Sequence, residues 1–139
     1  MQITSRLDHF AIAADNTDAM VAWYQRVLGL AVHVVAGPIL PATQKVYLIG
    51  PPATAGNPVH QGMMIEVMPR NATPRHNRNS HEPGISHAAW YVADFDAALA
   101  HLKTCQVTFL GDIGQAVGGG RIVSFEDCEH NMMQIVERR

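Results

Sequence analysis

The sequence predicts an α+β fold of two βαβββ modules in tandem, and three observations carry that expectation. The chain repeats itself: LDHFAIAADNTDAMVAW from Leu7 lies without a gap over ISHAAWYVADFDAALAH from Ile85, with His9 on His87, Ala11 on Ala89, Asp18 on Asp96, Ala19 on Ala97 and Ala22 on Ala100. Each copy passes from a short apolar run to a helix-period run and back to short apolar runs. A polar, proline-bearing segment at 70–84 parts the copies, giving modules over 1–69 and 85–139.

In the first module Leu7 to Ala14 is short and apolar, which reads as a strand buried on both faces. Asp15-Asn16-Thr17-Asp18 is a helix-start cluster. A helix follows to Leu28 with Met20, Val21, Trp23, Tyr24, Val27 and Leu28 on its apolar face, and Gly29 stands where a C-cap glycine belongs. Strands are expected over Leu30 to Ala36, Gln44 to Ile49 and Gln61 to Met68, with Gly50 to Pro58 as a loop. The second module should run as strand Ile85 to Val92, helix Phe95 to Lys103, strand Val107 to Leu110, strand Arg121 to Glu126 and strand Asn131 to Glu137. A glycine turn at Gly118 to Gly120 and a hairpin turn over Asp127 to Asn131 separate the later strands.

Composition narrows the function classes. Of 139 residues, 47% are hydrophobic and 16% charged, enough apolar material for a packed core. A formal charge of -2 and no basic stripe argue against nucleic acid, and no apolar run reaches the ~20 residues of a membrane span. The N-terminal MQITSRLDHF has no apolar signal core, so a cytoplasmic protein is expected. In that setting Cys105 and Cys128 are expected as thiols, and the sequon Asn71-Ala72-Thr73 carries no meaning. Arg75 and Arg78 read as solvated surface, with a grip on an anionic substrate as the alternative, and the methionines of the closing strands as packing.

The chemistry is expected where the repeat meets its ends. Each module offers a histidine on its opening strand and a glutamate on its closing strand: His9 with Glu66, 57 residues on (66 − 9), and His87 with Glu137, 50 residues on (137 − 87). By strand alternation all four share faces with apolar neighbours. Two carboxylates in such places cost several kcal/mol unless paired or metal-bound, and a divalent cation with two neutral imidazoles would compensate them. The remaining histidines, His33, His60, His76, His81, His101 and His130, have no counterpart in the repeat and read as loop or surface residues.

With LDHFAIA at its start, WYQRVLGL closing its first helix, GISHAAWYVADFDAAL in its middle and FEDCEHNMMQIVE at its end, the chain resembles the vicinal oxygen chelate superfamily of glyoxalases, bleomycin-resistance proteins and extradiol dioxygenases. The resemblance implies curved mixed sheets forming a metal-lined cleft, with His9, Glu66, His87 and Glu137 as ligands of one divalent ion: nickel, cobalt, zinc, manganese or iron. Two His with two Glu is similar to glyoxalase I. Ala13 stands where that enzyme usually carries the arginine that grips glutathione, so glutathione is not carried over. The closing turn departs from the family's Asp-Pro-Asp-Gly-Asn at Cys128, Glu129 and His130.

The implied function is a metal-dependent lyase or isomerase/epimerase on a small substrate with adjacent oxygens, passing through an enediolate-type intermediate with Glu137 or Glu66 as base. The alternatives are an iron-dependent dioxygenase and a non-catalytic drug-binding protein. A homodimer is expected by analogy.

Overall fold

The computed structural model describes residues 7–38, 43–55, 63–76 and 78–139. They divide into two compact units, Met1–Thr73 and Pro74–Arg139.

The first unit runs β1 (His9–Ala14), α1 (Thr17–Leu28), β2 (Ala31–Ala36), β3 (Val46–Gly50) and β4 (Met64–Pro69). Its sheet has the order β1-β4-β3-β2, with β1 parallel to β4 and the other neighbours antiparallel. Helix α1 starts because Asn16 caps it, its side chain accepting from Ala19 N–H at 3.0 Å. It ends because Gly29 takes the left-handed conformation (φ 65°), its N–H donating to the Gln25 carbonyl. Gln44 fastens the start further: its Oε1 accepts from Thr17 N–H at 2.9 Å and its Nε2 donates to the Asp15 carbonyl. Met20, Val21, Tyr24 and Val27 recur at helical spacing and pack on Ile49, Ile65 and Val67, all buried. Full burial of each such side chain contributes about 1.5–3 kcal/mol.

The second unit runs β5 (Ala88–Tyr91), α2 (Phe95–Thr104), β6 (Gly114–Gln115), β7 (Arg121–Glu126) and β8 (Met132–Val136), in sheet order β5-β8-β7-β6. Again the first strand is parallel to the last. Asp94 caps α2 by accepting from Ala97 N–H at 2.9 Å. The offset from Asn16 is 78 residues (94 − 16), as it is between the paired histidines (87 − 9). Phe95, Leu102, Phe125, Met133 and Ile135 make the buried core. The βαβββ order expected of each half is therefore present in both.

Four details differ from the expectation. Strand β1 is an edge strand whose residues alternate: Ile12 and Ala14 are buried while His9, Ala11 and Ala13 are exposed. It is half-buried because Ala11 and Ala13 face away from α1. Segment 107–110 forms one bridge, Phe109 to Phe125, rather than a strand, although Leu110 N–H donates to Ser124 O and Glu126 N–H to Thr108 O. The edge partner of β7 is instead the two-residue β6, which composition does not signal. Arg75 and Arg78 are not merely solvated: Arg75 pairs with Glu129 at 2.7 Å, and Arg78 donates to the carbonyls of Glu82, Pro83 and Ile85. Gln61 and the end of the expected 50–58 loop lie outside the described residues.

Cys105 and Cys128 are both thiols, not joined in a disulfide. Among the described residues, no helix is long and apolar enough to cross a membrane.

Candidate metal centre

Each sheet has one face against its helix and one away from it. In the first unit Tyr47, Ile49, Ile65 and Val67 lie toward α1, where the Tyr47 hydroxyl donates to Asp18. Residues of the other parity, Ala11, Leu48 and Glu66, lie side by side on the face away from it. His9, two residues before Ala11, shares that face. The parallel register sets Ala11 opposite Glu66, and the side chains of His9 and Glu66 meet with Nε2 3.3 Å from Oε2.

That separation has a chemical reading. Two donors each 2.0–2.2 Å from one ion stand about 3.0 Å apart at a right angle and about 3.4 Å at the tetrahedral angle. The other ring nitrogen of His9, Nδ1, is 2.8 Å from Asp8 Oδ2. The Asp8 carboxylate, with Glu66 adding to it, holds the His9 imidazole above the ordinary histidine value. With Nδ1–H given to Asp8, the Nε2 lone pair would face a carboxylate oxygen unless a cation, proton or metal, stands between them. The donor set of this half therefore fits a divalent ion.

The second unit repeats the register with a different residue. Ala89, two after His87, stands opposite Gln134. His87 itself lies one residue ahead of β5, with Nδ1 2.9 Å from Ser86 Oγ. Gln134 is nearly buried, and its Nε2 donates to Ser124 Oγ at 3.0 Å, so Oε1 is the atom left to meet a ligand. In register, then, Gln134 is the counterpart of Glu66.

Glu137 is placed elsewhere. It is three residues beyond Gln134, an odd number, and so falls on the helix-facing side. Arg121 grips both of its oxygens, Nε to Oε2 at 2.9 Å and Nη2 to Oε1 at 3.2 Å. The same guanidinium bonds both oxygens of Asp96 on α2 and stacks 4.6 Å over the Phe95 ring. Arg121 thereby holds the Glu137 carboxyl below the usual carboxylate range. The structure brings His9 and Glu66 together and does not bring Glu137 to the face of His87. Sequence reasoning passed over Gln134 because it matched residue types, and an amide in an acid's place breaks the match. The pairing of MIEVM with MMQIV, Met64 on Met132, was the signal available.

Among the described residues no three His, Cys, Asp or Glu side chains gather closely enough to hold a metal. Within each unit the register sets one Glu or Gln on the face away from the helix, Glu66 in the first and Gln134 in the second.

Residues 6–135 match the family model of the Glyoxalase/Bleomycin resistance protein/Dioxygenase superfamily. The chain belongs to that superfamily. Solved structures with the same fold include a member of the superfamily from Sphaerobacter thermophilus (TM-score 0.72, 15% identity, 97% of this chain and 98% of that one covered). They include TnmS3, an antibiotic-binding protein from Streptomyces sp. CB03234 (0.71, 13%, 100% of both chains). A third is a mutant of the fosfomycin resistance protein FosX from Listeria monocytogenes, complexed with Mn(II) and a dihydroxypropylphosphonic acid (0.68, 15%, 99% and 93%). At such identities the likeness concerns the fold. No curated protein matches the chain by sequence. An antibiotic-binding protein and a fosfomycin resistance protein complexed with Mn(II) thus share this architecture.

Proposed function

We propose that this superfamily member is a divalent-metal-dependent enzyme, a lyase or isomerase/epimerase of the glyoxalase I type acting on a small substrate with adjacent oxygens. The observation that supports it most is the 3.3 Å approach of His9 Nε2 to Glu66 Oε2 on the face away from α1. In this reading His9 and Glu66 from the first half and His87 with Gln134 from the second are the donors to one ion. Gln134 replaces Glu137 in the ligand set, because Glu137 is committed to Arg121.

Bound there, a divalent ion of the nickel, cobalt, zinc, manganese or iron type would act as a Lewis acid toward two substrate oxygens. The base is Glu66, the carboxylate on that face: it takes the proton from the carbon beside the carbonyl and returns it to the same or the neighbouring carbon. Leu48 and the small Ala11 flank it and leave room for a compact substrate. Asp8 and the Ser124–Gln134 hydrogen bond hold the donors in place.

Proton exchange into 2-hydroxy-carbonyl compounds in deuterated water tests this reading. The metal-loaded protein should catalyse it, and Glu66→Gln should lower the rate by at least ~100-fold, the usual loss on removing a general base. An unchanged rate in Glu66→Gln would remove that residue from the mechanism.

A second reading is a small-molecule binder without turnover. It is favoured by Gln134, which leaves one carboxylate among the four positions. Tight binding of an aromatic drug by metal-free protein would select it, while iron content with oxygen uptake would select a dioxygenase. The cytoplasmic, homodimeric state belongs to the same proposal and is checked by cell fractionation and light scattering.

A further inference from the structure

In both halves the residue just ahead of the histidine holds the same ring nitrogen. Asp8 Oδ2 is 2.8 Å from His9 Nδ1, and Ser86 Oγ is 2.9 Å from His87 Nδ1. The two partners are 78 residues apart (86 − 8), the spacing of the histidines themselves. Consecutive side chains on a strand point to opposite faces and do not meet. They meet here at the strand entries: β1 is counted from His9, with Asp8 O already accepting from Met64 N–H, and β5 starts after His87. At the same place in each half a polar side chain lies against Nδ1. Asp8 is otherwise exposed and supports no packing.

A neutral imidazole carries one N–H and one lone pair, and the partner of one nitrogen decides the state of the other. An ionised carboxylate can only accept, so Asp8 accepts from the Nδ1–H of His9, which leaves the Nε2 lone pair toward Glu66. A hydroxyl can accept in the same way. We propose that Asp8 and Ser86 are positioning residues that hold His9 and His87 in the Nδ1–H tautomer, so that both present Nε2 as the donor atom. The inference rests on the metal reading above for its purpose and on the ring geometry for its substance. It makes the two histidines unequal in their partners, an anion for His9 at Asp8 and a hydroxyl for His87 at Ser86.

Long-range proton–nitrogen NMR of the imidazole rings in metal-free protein, above the histidine titration range, reads the tautomers directly. Both rings should show Nδ1–H in the wild type. Asp8→Ala should move His9 toward Nε2–H and leave His87 alone, Ser86→Ala should do the reverse, and Asp8→Asn, whose amide oxygen still accepts, should restore the His9 tautomer. Titration with Mn2+ alone, followed by the resonance of the free ion, should show Asp8→Ala weakening uptake by about 10- to 100-fold, with a smaller loss in Ser86→Ala. Nε2–H rings in the wild type, or tautomers unmoved by the substitutions, would overturn the proposal. Nδ1–H rings in a wild-type chain that takes up no Mn2+ would uphold the positioning and overturn the metal reading instead.

Discussion

A carboxylate held at both oxygens by one guanidinium is a poor candidate to ligate a metal, and Glu137 is in that state. Its partner Arg121 spans two elements, joining the end of β8 to Asp96 on α2 and lying over Phe95. We expect Glu137→Gln to lower the thermal midpoint and leave Mn2+ affinity unchanged, whereas Gln134→Ala should weaken Mn2+ binding at least about tenfold. Calorimetry and metal titration on the two variants separate these roles. The Arg121–Glu137 pair also sets an acid dependence. Because the folded carboxyl lies below its ordinary value of 4.5, its stabilisation is complete above that value and is lost as pH falls through the lower, folded one. Arg121→Met should flatten the stability profile in that acid window, as read by denaturant titration at stepped pH. At this scale the approach of His9 to Glu66 was legible in the sequence. The place of Gln134 was hidden, because only the β5–β8 register sets it opposite Ala89 and leaves Glu137 on the other face.

Helices were the most legible elements, since the signals that start and stop them are local. Both begin within one residue of their capping side chains, Asn16 and Asp94, and Gly29 ends the first in the left-handed turn expected of it. Asn16→Ala and Asp94→Ala should each cost about 1 kcal/mol in chemical denaturation. Among the described residues, every strand but β6 was legible in its order, though less so in extent. Pairing decides where a strand stops, and the partner of β7 past Phe109 proved to be Gly114–Gln115, a dipeptide with no strand propensity of its own. The half-burial of β1 was misread for a related reason: Ala11 and Ala13 are apolar yet face away from the helix. Phe125, fully buried on β7, is the clearest core element of the second unit, and Phe125→Ala should cost about 3–5 kcal/mol in the same assay.

For the molecule as a whole, one offset of 78 residues relates the helix caps, the histidines, the residues that hold their Nδ1 atoms and the alanines that follow them. The duplication is therefore more than a fold repeat. It carries a histidine, a polar side chain against its Nδ1 atom and a side chain in register within each half, with Glu66 in one and Gln134 in the other. The acid-to-amide difference leaves one negative charge where two were expected, so a bound divalent ion would retain a net positive charge to attract anionic oxygens. Metal content per chain, measured on wild-type, His9→Ala and His87→Ala proteins after loading with Mn2+ and desalting, tests the central claim most directly. The account predicts one tightly held ion per chain in the wild type and a large loss in each variant. A wild-type protein that retains none, or full occupancy in His87→Ala, would contradict it.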